Sequence, residues 1–146
     1  MTLVKETSFV KDSHQTSLNC STSINKKILS TRDSFDFAKK IIAESNSDNV
    51  HLLFMNNSHN IISIIETNFN SFSELGKNTK SIAKHAINLF TPIVILIHKN
   101  NDAHKSESIK QIENLCFNLS FLDIKLLDVV IKGELSDVSY ADEGYV

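Results

Sequence analysis

Five consecutive aliphatic residues, Ile93-Val-Ile-Leu-Ile97, follow the only proline of the chain and run directly into His98. The run is far short of the ~20 apolar residues a membrane span needs, and it lacks the alternation of a half-exposed strand. It reads as a strand buried on both faces, so the sheet around it needs a covering layer on each side. Helical stripes supply that cover. Ser30 with Asp33 predicts an N-cap for a helix over 32–44 carrying Phe35, Ala38, Ile41 and Ile42. Asn78 is placed to cap a second helix with Ile82, Ala86, Leu89 and Phe90 on one face, ending before Pro92 because a residue preceding proline avoids α geometry. Ile109, Ile112, Cys116 and Leu119 mark a third stripe. Further strands are expected at 50–55 and 60–66, a hairpin turning through Asn56-Asn57-Ser58-His59, and at 124–131 and 138–140. The order predicts an α/β (α+β) fold, a mixed β-sheet flanked by helices.

Composition narrows the function classes. Fifteen Lys and Arg against 17 Asp and Glu leave a formal charge of −2 over 146 residues, and no basic run exceeds Lys26-Lys27 or Lys39-Lys40. Nucleic-acid binding is therefore unsupported by charge. Cys20 and Cys116 form neither a CxxC nor a Cys/His zinc spacing, which fits a reducing, cytoplasmic setting. Residues 1–27 have no trustworthy periodicity and no apolar signal-peptide core; they read as a flexible N-terminal arm, with an edge strand near Thr7 to Val10 as its one candidate element. Only three glycines and one proline are present, which excludes Gly-rich phosphate loops and leaves the connections to Asn and Ser.

A buried strand that ends in histidine and opens into a polar loop is where sheet proteins place ligands. His98 occupies that point. Three stretches around it, Ile93-Val-Ile-Leu-Ile-His98-Lys99-Asn100-Asn101-Asp102-Ala103, then Ile124-Lys-Leu-Leu-Asp128-Val-Val-Ile131, then Ser139-Tyr-Ala-Asp-Glu-Gly144, resemble the IILAHNHPSG, LLDHIII and SFADEG segments of the RadC-like branch of the JAB/MPN metalloprotease superfamily. Upstream, Ser30-Thr-Arg-Asp33 resembles the family's SRD entry to its first helix, and Val50-His-Leu-Leu-Phe-Met-Asn56 its ExFxVLxLN strand. The helix before the His98 strand is similarly placed to the family's DPKxIFxxAL helix. The resemblance covers residues 28–146 and implies one domain of JAB/MPN (cytidine-deaminase-like) architecture.

The resemblance also implies zinc held by an HxH pair and an Asp, with a Glu as general base and a Ser assisting the tetrahedral intermediate. Three protein ligands leave one position for a water whose pKa the metal lowers. On this chain the metal positions fall on His98 and Asn100, whose amide oxygen is a poor zinc ligand beside an imidazole. The ligand Asp falls on Gln111 or Ser108, depending on the loop register, and the oxyanion-assisting Ser on Ser108 or Lys105. The catalytic Glu falls on Asp48, which keeps the charge but is one methylene shorter. These departures imply a degenerate site with zinc absent or weak, and a non-catalytic binding or scaffolding role toward a protein partner, with no membrane contact and the oligomeric state left open. The alternatives are an active metal-dependent hydrolase with a substituted ligand set around His98, for instance with Asp102 and His104, and an unrelated α/β interaction domain.

Several of these residues also have plain structural readings. Ser108-Ile-Lys-Gln111 is a capping-box pattern that starts a helix. His85, beside Lys84, reads as a partly exposed surface residue, and His51 and His59 have no evident partners. Asp128 reads as structural, because the family carries an Asp there outside its ligand set, and Cys116 as a small core residue.

Overall fold

The computed structural model describes residues 26–99 and 106–146. The Thr7 to Val10 segment and the ligand candidates Asn100, Asp102 and His104 lie outside them. Helix α1 (Thr31–Ser45) is followed by the hairpin β1 (His51–Met55) and β2 (Ile61–Glu66). A 3₁₀ turn (Phe72–Glu74) leads into α2 (Leu75–Asn88), then β3 (Ile93–His98), α3 (Ser106–Ser120), β4 (Lys125–Lys132) and β5 (Asp137–Ser139). The sheet order is β2-β1-β3-β4-β5. Only β3 and β4 run parallel, with α3 as their crossover, and the remaining neighbours are antiparallel. The α+β architecture expected from the element order is therefore present.

All six residues of β3 are buried, and they feed two separate cores. Val94 and Leu96 pack with Ile82, Ala83 and Ala86 of α2 and Ile112, Leu115 and Leu119 of α3. Ile93, Ile95 and Ile97 pack with Phe37, Ala38 and Ile41 of α1. Burying each such aliphatic side chain contributes about 1.5–3 kcal/mol, so the strand that separates the two cores also anchors both.

The chain stops its helices without glycine. Asn46 closes α1 at φ 48°, its N–H donating to the carbonyl of Ile42. At the end of α2, Thr91 donates to the Ala86 carbonyl (2.9 Å) and Phe90 to that of Ile87 (3.2 Å), with Phe90 left-handed at φ 55°. This is the Schellman arrangement, built on an aromatic residue where glycine is the usual choice. Asp123, at φ 57°, does the same after α3, where Ile124 donates to the Leu119 carbonyl. Within the hairpin, the Asn56 side-chain oxygen accepts from the N–H of both Ser58 and Asn60, and His59 takes the left-handed corner at φ 64°. Asn does fill connections here, as its local hydrogen bonding allows.

Four local expectations are corrected. Asn78 does not cap α2: the helical run begins earlier, with the Ser71 hydroxyl accepting from Ser73 N–H, and Asn78 sits within the helix donating to the Glu74 carbonyl at 2.8 Å. Ser108 does not begin α3, which already starts at Ser106. His51 is not without a partner: it is fully buried opposite Glu66 across the hairpin, Nε2 to Oε1 3.5 Å. His85 is not a surface residue, because the face of α2 that carries Ile82 and Ala86 also turns its ring inward onto Phe54, centroids 4.6 Å apart.

Burial lowers the His85 pKa to about 4, and neither ring nitrogen has a hydrogen-bond partner among the described residues. The unfolded chain therefore binds this proton more tightly, so stability is retained above the ordinary pKa near 6.5 and is lost as pH falls toward 4. His85→Leu gives up no hydrogen bond and should flatten that loss. In urea titrations the variant should match wild type within about 1 kcal/mol at neutral pH and exceed it by about 2 kcal/mol near pH 4.5. Parallel pH dependences for the two proteins would contradict the buried, neutral assignment.

Candidate functional site at the end of β3

β1 and β3 are antiparallel neighbours with His51 opposite Ile97, so the segment leading into β1 and the last residue of β3 lie together at one end of the strands. Asp48 and His98 meet there. The contact is made by the Asp48 backbone: His98 Nε2 lies 3.1 Å from the Asp48 carbonyl oxygen. A carbonyl only accepts, so Nε2 carries the proton and Nδ1 is the lone-pair nitrogen. Nδ1 is itself buried, and the ring packs against Phe72 at 5.1 Å between centroids. Burial lowers the pKa of His98, while the Asp48 and Asn70 carbonyls and the Asp48 charge pull it partway back. The result at neutral pH is an uncharged imidazole with its proton committed.

The Asp48 carboxylate turns outward, with its side chain 73% exposed, to Lys99 Nζ at 3.6 Å. Ser108 is half-buried in the first turn of α3, one helical turn before Gln111. Asn100 and Lys105 fall outside the described residues. Among the described residues no group of three His, Cys, Asp or Glu is placed to hold a metal ion. What the arrangement offers chemically is a buried neutral hydrogen-bond donor and a screened surface ion pair. Two members of this neighbourhood were given no role by sequence reasoning, Lys99 and Phe72, whereas the turn Thr67-Asn68-Phe69-Asn70 is expected beside the site, where it replaces a glycine-containing turn of the family. A signal for Phe72 existed, since Ser71-Phe-Ser-Glu74 is itself a capping-box pattern.

Asp128 connects this edge to the end of the chain. The β3–β4 register slips by one residue at Leu127, which brings Asp128 opposite Ile95. Its carboxylate accepts from Val129 N–H (2.7 Å), the Ser139 hydroxyl (2.7 Å) and Ala141 N–H (3.0 Å). Ser139 Oγ in turn accepts from Asp142 N–H, and Thr31 Oγ1 bonds the Asp142 carboxylate at 3.0 Å. The Ser139-Tyr-Ala-Asp segment is thereby fastened onto β4 and onto the start of α1. Between the anchors lies Tyr140, fully buried, 6.5 Å from Phe72 and 5.2 Å from Tyr145 between centroids. Burial, with the Tyr145 charge adding to it, pushes its phenol up to about 12.

The order of these segments, with the His98 strand beside the strand that Asp48 leads into, removes the unrelated α/β domain as a reading. The family model for the RadC-like JAB domain matches residues 28–145. The chain belongs to that family. Among curated relatives, it is 25% identical over 130 residues to a UPF0758 protein of Pelodictyon phaeoclathratiforme, the match covering 87% of this chain and 59% of that one. It is 29% identical over 122 residues to a UPF0758 protein of Flavobacterium johnsoniae, covering 82% of this chain and 53% of that one. The matched part of this RadC-like JAB domain thus spans little more than half the length of those relatives. No helix among its described residues is long and apolar enough to cross a membrane.

The clamp makes a sharp prediction about charge. Burial raises the Asp128 pKa, with the three donors and the Asp142 charge acting on it as smaller effects. A raised carboxylate pKa means that stability falls as pH rises through the window above the ordinary value. Asp128→Asn can still accept from both N–H groups and donate to Ser139 Oγ, so it should lie within about 1 kcal/mol of wild type at pH 7 and lose that pH dependence. Asp128→Ala strands three buried donors and should cost about 2–4 kcal/mol. Equal losses for the two variants in chemical denaturation would show that the charge itself, not donor satisfaction, holds the segment.

Proposed function

We propose that this RadC-like JAB domain is a non-catalytic member of a zinc-hydrolase family, with a degenerate metal site and a binding or scaffolding role toward a protein partner. The observation that carries the reading is the His98 contact. A zinc ligand must present a nitrogen lone pair to the ion; with Nε2 donating to the Asp48 carbonyl, the lone pair left to His98 is on Nδ1, which is buried with no group of three His, Cys, Asp or Glu placed to share a metal among the described residues. The residues at the other family positions agree with this reading. Asn100 is a weak ligand type, Ser108 and Gln111 are not carboxylates, and Asp48 is engaged by Lys99 rather than aimed at His98. That donor set does not fit a zinc ion, so no hydrolytic step is derived through one.

The test is metal content. Protein purified without chelator and dialysed against zinc should hold much less than one equivalent, and added zinc should leave its Tm unchanged. About one zinc per chain, lost on His98→Ala, would overturn the proposal and restore a hydrolase with substituted ligands. In the opposite direction, Asp48→Glu, Asn100→His and Ser108→Asp together should create a site. At 100-fold excess over Kd, binding stabilises the fold by about 2.7 kcal/mol, readable as a zinc-dependent rise in Tm.

A further inference from the structure

The end of the domain opposite His98 carries its own anomaly. β3 and β4 begin side by side, with Ile93 opposite Lys125 and Lys125 N–H donating to the Pro92 carbonyl at 2.7 Å. α2 feeds β3, α3 feeds β4, and both helices pack into the same core. Their last turns are therefore neighbours at this edge. Five of the eight large hydrophobic residues exposed among the described ones collect there: Ile87, Phe90, Phe117, Phe121 and Leu122. Phe90 is 87% exposed, and Phe117 and Phe121, at 64% and 71%, stack edge-to-face on each other at 4.9 Å between centroids instead of turning inward.

We propose that this end of the molecule, formed by the last turns of α2 and α3, is the interface of a homodimer of the chain. Size supports a second copy. At exposures of 51% to 87%, the five side chains together present on the order of 600 Å² of surface on the last turns of the two helices, as much as the largest apolar patch of an ordinary monomer. Two copies meeting through it would bury on the order of 1,200 Å², which enters the range of specific interfaces. Charge supports it as well. Exposed charges of both signs stand on the same elements, Lys84 on α2 and Lys125 on β4 with Glu113 on α3 and Asp123 just after it, so a two-fold axis can set cation against anion. A net charge of −2 adds little repulsion. The inference is independent of the metal site, which lies at the other end of β3, and the zinc measurement does not bear on it.

Sedimentation velocity of the full chain from about 1 to about 200 µM tests it, a span that brackets micromolar dissociation constants. Wild type should pass from monomer to dimer within that span. Phe117→Glu with Phe121→Glu should stay monomeric throughout, and Leu135→Glu, exposed elsewhere, should dimerise like wild type. Phe90→Gly separates association from folding: it removes a ring from the interface and relieves a left-handed backbone at φ 55°. It should weaken the dimer by about tenfold or more while keeping or raising the Tm of the dilute monomer. A wild-type chain that is monomeric throughout overturns the proposal, whether or not it sediments with phosphatidylcholine vesicles or pairs with another protein. So does a dimer indifferent to both the Phe117/Phe121 and the Phe90 substitutions.

Discussion

β3 has a strand on each edge and helices over each face, so its six residues are buried, and the rest of the fold is arranged by satisfying them. The hydrogen bonds on its two edges require β1 and β4 as neighbours. Its two rows of side chains require one apolar layer from α1 and another from α2 and α3. A parallel partner requires a crossover, and that crossover is α3. The strand also sets the position of the site. Its last residue, His98, is the point where the buried ladder reaches the sheet edge, and the alternation that turns Val94 and Leu96 toward α2 and α3 sets the imidazole against Phe72. A slip of one residue in β3 would exchange the two cores and move His98 to the other face.

A second constraint acts from the far end of the chain. Asp128 lies in an otherwise apolar strand, and its burial is tolerable because three donors converge on it. Those donors belong to β4 itself and to the Ser139-Tyr-Ala segment, so the carboxylate binds the two together. Tyr140 is the part of that segment that reaches the core, and it touches Phe72, which touches His98. The C-terminal motif therefore acts through packing on the edge where His98 sits. It reaches the site through two aromatic contacts and supplies no reacting group there.

How much of this was legible beforehand follows from which interactions are local. The Ile93-Val-Ile-Leu-Ile97 run, the Ser30 cap with its reciprocal Asp33 carboxylate, and the Asn56 turn are all written within a few residues of themselves, and each formed as read. The beginning of α2 was misread because Asn78 and Ser71 both carry capping side chains, and Ser71 wins by accepting from Ser73 N–H and by starting the turn that buries Phe72. His85 was misread from its polar character and its neighbour Lys84, although it stands three residues after Ile82 and four before Leu89 and so falls on the buried stripe, where Phe54 receives its ring. The site lay further out of reach. That Asp48 contributes its carbonyl while its carboxylate turns to Lys99 is a matter of backbone direction at the end of a strand, which no residue pattern encodes.

Functional sites in folded proteins are where the rules of stability are usually broken: buried polar groups await a ligand, charges stay unneutralised, and the backbone is held in sparse conformations. At the end of β3 most of the described groups are compensated, His98 Nδ1 being the buried exception. The His98 proton has an acceptor, the Asp48 charge has a cation, and the residue of positive φ nearest in sequence is Asn46, which tolerates that geometry. At the opposite end the rules are broken together. An aromatic residue holds a left-handed backbone while its ring stands in solvent, and two more rings stack on each other outside the core. Hydrophobic exposure of that kind is costly in a monomer, and covering it would recover the cost. β3 itself is held by its two cores, so the position of His98 is fixed by packing on both faces of the strand and not by anything bound at its end.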